Sequence, residues 1–255
     1  MSSILDSFKL NGKTAIVTGA ARGLGQGMSL ALAEAGADIV AVDILPADDT
    51  KKQVEAMGRK CLTVAGNLGD RAQIPDVIAQ AKKFSDHLDI LVNCAGIIRR
   101  DEFEKFSEKD WDDVMGININ AVFFLSQLFV RDALARKGTA KIINIASMLS
   151  FQGGIRVPSY TCSKSAVQGL TRLMANELAA KGINANAIAP GYMATDNTTP
   201  LRADANRANA ILERIPAGRW GTPDDLKGVV VFLASAASDY VNGYTIAVDG
   251  GWLAR

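Results

Sequence analysis

The chain has 255 residues, of which 48% are hydrophobic and 22% charged, and this size suits one globular α/β domain. Its 28 lysines and arginines nearly balance 27 aspartates and glutamates, which argues against a protein that binds nucleic acid along the phosphate backbone. No uninterrupted apolar run reaches about 18 residues and the first ten residues do not resemble a secretion signal, so we expect no membrane span and a cytoplasmic location. Three cysteines, Cys61, Cys94 and Cys162, are then expected to be free thiols. With His87 as the single histidine, a metal site is not expected.

Short apolar runs alternate with helix-length segments along the whole chain. The predicted strands are 13–19, 38–43, 60–66, 88–96, 140–147, 183–190 and 244–251. The predicted helices are 23–36, 46–58, 70–86, 107–136, 159–181 and 222–235. This alternation predicts a single-domain, Rossmann-like, doubly wound fold over 1–255, with a seven-stranded parallel sheet and helices on both faces.

One long segment, from Gly191 to about Arg219, has no regular pattern and contains Pro200 and Pro216. Irregular segments of this length are uncommon in compact domains and often cover a binding site. We therefore predict that 191–219 is an irregular substrate lid.

The distinctive polar residues and glycines stand at the ends of predicted strands. In open parallel sheets, ligands bind outside the carboxyl ends of the strands. This coincidence predicts a binding site that includes Gly19, Asp43, Asn93, Gly96, Ser147, Pro190 and Gly191.

The stretch "TGAARGLG" (18–25) places Gly19, Gly23 and Gly25 between the first strand and the first helix. Glycine permits a tight turn and a close approach of pyrophosphate, and free N–H groups at the helix start face the phosphates. The spacing differs from the usual G-x-G-x-x-G fingerprint. A glycine-rich corner without a ligand therefore remains an alternative.

Asp43 ends the second strand and favours NAD as the cofactor. A carboxylate there accepts hydrogen bonds from the adenosine ribose hydroxyls and repels a 2′-phosphate. Ile44 follows, where an arginine would suit NADP, but Arg22 could still pair with that phosphate. The alternative interpretation of Asp43 is an acidic residue at a helix start, ahead of Pro46.

The segment "SYTCSK" contains Tyr160 and Lys164, which share one helix face because they are four residues apart. A nearby ammonium favours the phenolate, which would adjust the tyrosine pKa toward acid–base use. Ser147, at a strand end, can hydrogen-bond a substrate carbonyl oxygen. These groups suit carbonyl reduction by hydride, although a tyrosine–lysine pair alone is more often an ordinary surface pair.

These motifs, together with "NCAG" (93–96), Asn118 in "GININ" and "PGYMAT" (190–195), resemble the short-chain dehydrogenase/reductase family in order and spacing. The resemblance implies Tyr160 as general acid/base and Ser147 as the group that orients the carbonyl. It implies that Lys164 lowers the tyrosine pKa and holds the nicotinamide ribose, and that Asn118 holds a relay water. The further cofactor contacts that it implies are Leu24, Asn67, Leu68, Asn93, Ala95, Gly96, Pro190, Gly191, Met193 and Thr195.

The chain departs from the family pattern at two positions. Cys94 replaces the second asparagine of Asn-Asn-Ala-Gly, and Asn67 replaces the aspartate near adenine. We interpret Cys94 as a packing change and expect Asn67 still to reach adenine. Cys162, within the tyrosine–lysine turn, is expected to be a small buried residue.

Further stretches, such as "IIRR" (97–100) and "RIPAGRWG" (214–221), resemble the branch of the family that oxidises and reduces keto-sugar acids. A sugar-acid carboxylate requires a cation, and arginine binds carboxylates through two parallel hydrogen bonds. The candidates just beyond strand ends are Arg99, Arg100 and Arg156, with Gln152 and Tyr192 in the same pocket. Alternatively, the arginines are solvated or pair with Asp101 and Glu102.

Other functions remain open at this point. Another reductase of the family, including a 3-oxoacyl-thioester reductase, would use the same proton and hydride chemistry. An NAD-sensing protein without activity would not need the residues Ser147, Tyr160 and Lys164. The long helices 107–136 and 159–181 have apolar faces, and the family resemblance implies that they pack between subunits of a homotetramer.

Overall fold

The fold is built on one seven-stranded, entirely parallel sheet, as the sequence predicts. The structure is a computed structural model that describes residues 3–255. The strands are β1 (Thr14–Thr18), β2 (Asp38–Asp43), β3 (Cys61–Ala65), β4 (Ile90–Asn93), β5 (Ala140–Ile145), β6 (Ile183–Pro190) and β7 (Thr245–Val248). Their order in the sheet is β3-β2-β1-β4-β5-β6-β7.

Helices cover both faces because successive side chains of a strand point to opposite faces. The helices are α1 (Gly23–Glu34), α2 (Asp48–Ala56), α3 (Ile74–Phe84), α4 (Glu108–Met115), α5 (Val122–Ala135), α6 (Pro158–Leu178), α7 (Thr199–Ala203), α8 (Ala205–Arg214) and α9 (Lys227–Ala234). In β1, Ala15 and Val17 pack with α1, α2 and α9, whereas Ile16 packs with α3, α5 and α6. The predicted doubly wound architecture is therefore confirmed.

The strand order reverses between β1 and β4, which are neighbours in the sheet although far apart in sequence. The chain segments that follow these two strands lead to opposite faces of the sheet, so a crevice opens at the carboxyl ends of the strands. The residues that follow β1, β2 and β4 surround this crevice. The fold thus brings together the strand-end residues that the sequence singles out.

The predicted helix 107–136 is continuous but not regular. Between α4 and α5 the segment Gly116–Ala121 is π-helical, and it contains the buried Asn118. By length and composition alone, Glu108–Ala135 is apolar enough to cross a membrane. Much of this apolar character is explained by α5, whose Leu125 and Phe129 are buried beneath the sheet.

The prediction of an irregular segment over 191–219 was wrong in part, because most of it is helical. A short 3-10 turn, Asp196–Thr198, leads into α7 and α8. Pro200 lies in the first turn of α7, where its missing N–H costs no helical hydrogen bond. Ile211 and Ile215 pack against Met148 and Trp252, so tertiary contacts stabilise elements that are too short to form alone.

Candidate active site

The glycine-rich loop after β1 has the backbone geometry of a phosphate cradle. Gly19 and Gly23 have φ of +69° and +59°, values that residues other than glycine rarely adopt. A Cβ at Gly25 would collide with the carbonyl group of Gly19. No side chain caps the start of α1, so its first N–H groups remain available for an anion.

A buried threonine connects the loop after β4 to the end of β1. The Thr18 hydroxyl accepts hydrogen bonds from the N–H groups of Cys94 and Ala95, each at 3.0 Å. Two loops on either side of the crevice are therefore fixed relative to each other. This role of Thr18 could not be predicted, because the sequence shows only a threonine at the end of a strand.

Asp43 is held rigidly at the end of β2. Its two carboxylate oxygens accept hydrogen bonds from the N–H groups of Ala21 and Leu45, both at 2.9 Å. Each carboxylate oxygen can accept a further hydrogen bond. The carboxylate can therefore receive the two hydroxyls of a ribose without moving.

A cleft of about 760 Å³ runs along the carboxyl ends of β1, β2 and β4. Its volume lies within the usual range for ligand sites. Eleven of the residues predicted to contact the cofactor line it, namely Gly19, Arg22, Gly23, Leu24, Gly25, Asp43, Asn67, Leu68, Ala95, Gly96 and Thr195. The glycine cradle, the anchored carboxylate and this volume together fit a dinucleotide.

Six residues predicted to contact the cofactor do not line the cleft, namely Asn93, Tyr160, Lys164, Pro190, Gly191 and Met193. The Asn93 amide lies inside the protein, where it donates to Ser126 Oγ at 3.0 Å and Asn144 Oδ1 at 2.8 Å. Met193 is buried, and Pro190 and Gly191 end β6 against β7. For Asn93 the structure indicates that it connects β4 to β5 and α5 rather than contacting a ligand.

The cleft also contains residues that the sequence analysis missed. The end of α4 and the π-helical segment contribute Asp112, Asp113, Gly116 and Ile117, and the segment 191–219 contributes Asp196 and Asn197. No motif marks these positions. Their contribution depends on how the helix after β4 packs, which a single sequence does not reveal.

Lys164 lies deep beside the cleft, with its side chain fixed by the protein. Its ammonium donates to the carbonyl oxygen of Ile145 at 2.6 Å, and only 4% of the residue is exposed. Burial lowers the pKa of Lys164 to about 8. A Cβ placed on Gly96 would lie 3.7 Å from Lys164 Nζ, which is an ordinary contact distance, so the ammonium lies directly behind Gly96, a residue that lines the cleft.

Tyr160 and Lys164 lie on the same face of α6, as predicted, with Lys164 Nζ 5.6 Å from the centre of the tyrosine ring. The pKa of Tyr160 is raised, however, and not lowered as the sequence analysis expected. Burial of the phenol is the main cause, and the neighbouring Ser147 and Arg100 only partly oppose it. The ammonium of Lys164 does not offset this burial, because it is directed to the Ile145 carbonyl.

Ser147 and Asn118 are both buried next to this pair. The hydroxyl of Ser147 accepts a hydrogen bond from the N–H of Leu149, which fixes it at the end of β5. The Asn118 amide is bonded to both main-chain groups of Ile97, at 2.9 and 3.0 Å, and to Ser163 Oγ at 3.2 Å. Asn118 thus connects the loop after β4 to α6, close to Lys164.

The three candidate arginines differ in their partners. Arg99 pairs with Asp110 at 3.3 Å, and Arg156 pairs with Glu102 at 3.2 Å. Arg100 has no carboxylate partner within the part of the chain that the structure describes. Its guanidinium donates to the Asn197 carbonyl oxygen at 3.3 Å.

Arg100 is also the candidate arginine that interacts electrostatically with Tyr160. Burial lowers the pKa of Arg100, and the nearby phenols of Tyr160 and Tyr192 oppose that shift. Arginine remains charged at any physiological pH despite such a change. Its guanidinium is therefore a permanent cation between Tyr160 and the segment 191–219.

Tyr192 belongs to an aromatic cluster with Trp220 and Trp252, and Gln152 is hydrogen-bonded to this cluster. Tyr192 packs edge-on against Trp220 and Trp252, with ring centres 5.4 and 4.8 Å apart. Gln152 Oε1 accepts hydrogen bonds from Trp252 Nε1 at 3.3 Å and from Arg214 at 3.4 Å. Because its oxygen is bonded in this way, the amide N–H₂ of Gln152 is the group left to donate to a ligand.

The three cysteines are free thiols, as predicted. Cys94 lines the cleft, and burial raises the pKa of its thiol to about 12. The expectation that Cys162 is buried was wrong, because it lies on the outward face of α6. Residues two apart on a helix face different directions, so the burial of Tyr160 and Lys164 does not extend to Cys162.

Comparison with known proteins identifies the family. Residues 19–253 match a family profile described as enoyl-(acyl carrier protein) reductase. The 2-dehydro-3-deoxy-D-gluconate 5-dehydrogenase of Escherichia coli K12 is 62% identical, covering 99% of this chain and all of its own.

Two crystal structures agree with this result. A protein from Agrobacterium tumefaciens, provisionally named 2-deoxy-D-gluconate 3-dehydrogenase and solved with NADP, has 53% identity and a TM-score of 0.93, covering 98% of this chain and all of its own. A gluconate 5-dehydrogenase from Burkholderia cenocepacia, solved with NADP and tartrate, has 38% identity and a TM-score of 0.94, covering 99% of this chain and all of its own. The chain belongs to the short-chain dehydrogenase/reductase family and is a nicotinamide-dependent oxidoreductase.

Proposed function

We propose that this protein interconverts 3-deoxy-D-glycero-2,5-hexodiulosonate and 2-dehydro-3-deoxy-D-gluconate with NAD(H), as part of uronate breakdown in the cytoplasm. The relative that is 62% identical over the full length carries the name of this activity. The observation that supports the proposal most is the guanidinium of Arg100, which has no carboxylate partner among residues 3–255 and is close enough to Tyr160 for the two groups to interact electrostatically. A catalytic phenol next to such a cation suits a small substrate that has both a ketone and a carboxylate.

Tyr160 acts as the general acid and base of the reaction. When bound, the nicotinamide dinucleotide supplies or accepts the hydride. The hydroxyl of Ser147 donates to the carbonyl oxygen and holds it near Tyr160, which gives that oxygen a proton as the ketone becomes an alcohol. A raised pKa keeps Tyr160 protonated at neutral pH, which suits the direction of reduction.

Lys164 and Asn118 support the tyrosine. The ammonium of Lys164, fixed on Ile145, lies behind Gly96 at the edge of the cleft, and from there it holds the nicotinamide ribose. Asn118 positions the loop after β4 and holds a water that returns protons to Lys164 from solvent. The π-helical turn around Asn118 supports this role, because such turns are frequent at functional sites.

Arg100 binds the substrate carboxylate. Arg99 and Arg156 are neutralised by Asp110 and Glu102, so each would have to exchange one carboxylate for another. Arg100 loses only a hydrogen bond to a main-chain carbonyl when it turns to a substrate. A carboxylate can accept two parallel hydrogen bonds from a guanidinium, so the pair that it forms is stronger than the single hydrogen bond that it replaces.

The segment 191–219 closes over the substrate. Asn197, in this segment, already contacts Arg100, and Tyr192 and Trp220 form part of the aromatic cluster. Gln152 donates its amide to the sugar hydroxyls from beneath. Water that the closed segment excludes would otherwise weaken the charge interactions around Arg100.

NAD is the proposed cofactor because Asp43 occupies the place next to the adenosine ribose. A fixed carboxylate accepts two ribose hydroxyls and repels a 2′-phosphate. NADP is bound in the structures of the Agrobacterium and Burkholderia proteins, so the choice of cofactor requires a direct test. Affinities for NADH and NADPH, measured by fluorescence titration, should differ at least tenfold in favour of NADH.

A homotetramer is the proposed assembly. Phe123 and Leu134 on α5 and Leu173 on α6 are 39–49% exposed, so each leaves apolar surface uncovered in a single chain. Helices that pack in pairs across a two-fold axis would cover them. Light scattering on the purified protein measures the assembly directly.

A substrate panel tests the proposed activity. NADH oxidation is followed with 3-deoxy-D-glycero-2,5-hexodiulosonate, 5-keto-D-gluconate and a 3-oxoacyl thioester. We expect the diulosonate to have the highest kcat/KM and the thioester to be a poor substrate. A thioester that reacts as fast as the keto acids would contradict it.

Gluconate 5-dehydrogenase activity is the second candidate. The Burkholderia protein has this name and covers nearly the whole chain at 38% identity. Its substrate also has a carboxylate and a ketone at the fifth carbon, so Arg100 and Tyr160 would serve it equally. In the panel, this alternative predicts a higher kcat/KM for 5-keto-D-gluconate than for the diulosonate.

A further inference from the structure

The charges around the cofactor cleft are paired in a way that disfavours an additional phosphate. Within residues 3–255, two cations line the cleft, Arg22 and Arg99, and both are paired with carboxylates. Of the four aspartates in the lining, Asp113 and Asp196 are in ion pairs within these residues, whereas Asp43 and Asp112 are not. A 2′-phosphate, which is nearly dianionic, would therefore find no free cation and two additional negative charges.

Arg22 lies where it could recognise such a phosphate. It directly follows Ala21, whose N–H binds the Asp43 carboxylate, so its backbone is anchored at the adenosine end of the cleft. Guanidinium groups bind phosphates through two parallel hydrogen bonds. The guanidinium, however, pairs with Asp196 at 2.8 Å.

Asp196 belongs to the segment on the other side of the cleft, and its position is fixed. The turn Asp196–Thr198 is held by Thr198, whose hydroxyl donates to the Met193 carbonyl oxygen at 2.6 Å. Arg202 also donates to the Thr195 carbonyl oxygen at 3.2 Å. The Asp196 carboxylate is thus presented to Arg22 by a turn with its own supports.

We propose that Asp196 is a determinant of cofactor specificity, because it holds Arg22 away from the position of a 2′-phosphate. This inference depends on the NAD preference proposed above. Asp43 discourages the phosphate directly, and Asp196 removes the arginine that would otherwise compensate. The preference for NAD therefore depends on a residue of segment 191–219 as well as on the end of β2.

Asp196→Asn tests this inference, because it keeps the size of the side chain and removes its charge. Dissociation constants for NADH and NADPH are measured by fluorescence titration, and those for 2′,5′-ADP and 5′-ADP by calorimetry. We expect the affinity for NADPH relative to NADH to rise at least about fivefold, which corresponds to releasing one exposed ion pair. The same relative gain is expected for 2′,5′-ADP.

Two further variants make the test specific. In Arg22→Ala/Asp196→Asn the relative gain should disappear, because the released arginine is absent. Asp239→Asn is the matched control, since Asp239 is equally exposed, at 69%, and pairs with Lys141 at 2.7 Å at the opposite end of the sheet. It should leave the affinity ratio unchanged.

Three results would overturn the inference. The ratio could stay within about twofold of the original in Asp196→Asn. The gain could persist without Arg22, which would make Asp196 a direct repulsive charge. The variant could lose affinity for both cofactors equally, which would mean that the ion pair only holds the segment 191–219 against the glycine-rich loop. The unaltered protein tests the NAD preference separately, because equal affinities for NADH and NADPH there would refute the proposed cofactor but not the effect of Asp196.

Discussion

Replacing Arg100 by alanine tests how the protein recognises a sugar acid. The change removes a cation that has no carboxylate partner within the described chain and leaves Arg99 and Arg156 in place. Its single hydrogen bond goes to the Asn197 carbonyl oxygen, on an exposed part of the segment 191–219. The fold should therefore tolerate the substitution, so an effect on kinetics can be assigned to substrate binding.

The expected magnitude follows from the setting of Arg100. A hydrogen bond to a charged group contributes about 1.5–3 kcal/mol, or roughly a 10- to 150-fold change in affinity. Arg100 is exposed in the free protein, where solvent screens it, so we expect the lower end. We predict that kcat/KM for the keto acid falls about tenfold, mainly through KM.

The assay compares two substrates and two variants. Initial rates of NADH oxidation are measured with the keto-sugar acid and with its carboxamide, which keeps the ketone and lacks the charge. Arg100→Ala should affect the acid much more than the carboxamide, because only the acid carries the carboxylate. Arg156→Ala is the matched control, since Glu102 already neutralises Arg156. Equal losses with both substrates, or in both variants, would refute the assignment of Arg100.

Two other predictions concern pH and stability. Because burial lowers the pKa of Lys164 to about 8, its ammonium is present below that pH and lost above it. Carbonyl reduction should therefore decline above pH 8, and a rate that stays constant to about pH 10 would contradict the need for this charge. Phe129 is fully buried between the sheet and its helices, so Phe129→Ala should lower the free energy of unfolding by about 3–5 kcal/mol. Denaturant titration measures this loss, with the fully exposed Tyr240→Ala as a control that should show little change.

Much of the fold could be predicted because buried parallel strands leave a strong pattern. The seven apolar runs became seven strands, and the predicted bounds differ from the observed ones by no more than three residues. The segment 191–219 was harder, because α7 and α8 are short and depend on contacts of Ile211 and Ile215 with distant residues. The π-helical turn at 116–121 interrupts a helical pattern that gives no sign of it in sequence.

For the site, the residues that come together could be predicted better than their surroundings and pKa values. Tyr160 and Lys164 meet because the helical repeat requires it, and Asp43 lies by the glycine loop because β1 and β2 are neighbours. The pKa of Tyr160 depends on its burial by surrounding segments, and the spacing of residues in the sequence does not reveal that burial. Likewise, only the tertiary structure distinguishes the unpaired Arg100 from Arg99.

The central claim is that the phenol of Tyr160 transfers the proton that accompanies hydride transfer. Tyr160→Phe removes only the hydroxyl, so the most direct measurement is turnover of this variant together with its affinity for NADH. We predict that turnover falls about 10²–10⁴-fold while the affinity for NADH changes little. Turnover that stays near that of the unaltered protein, with NADH bound normally, would contradict this mechanism.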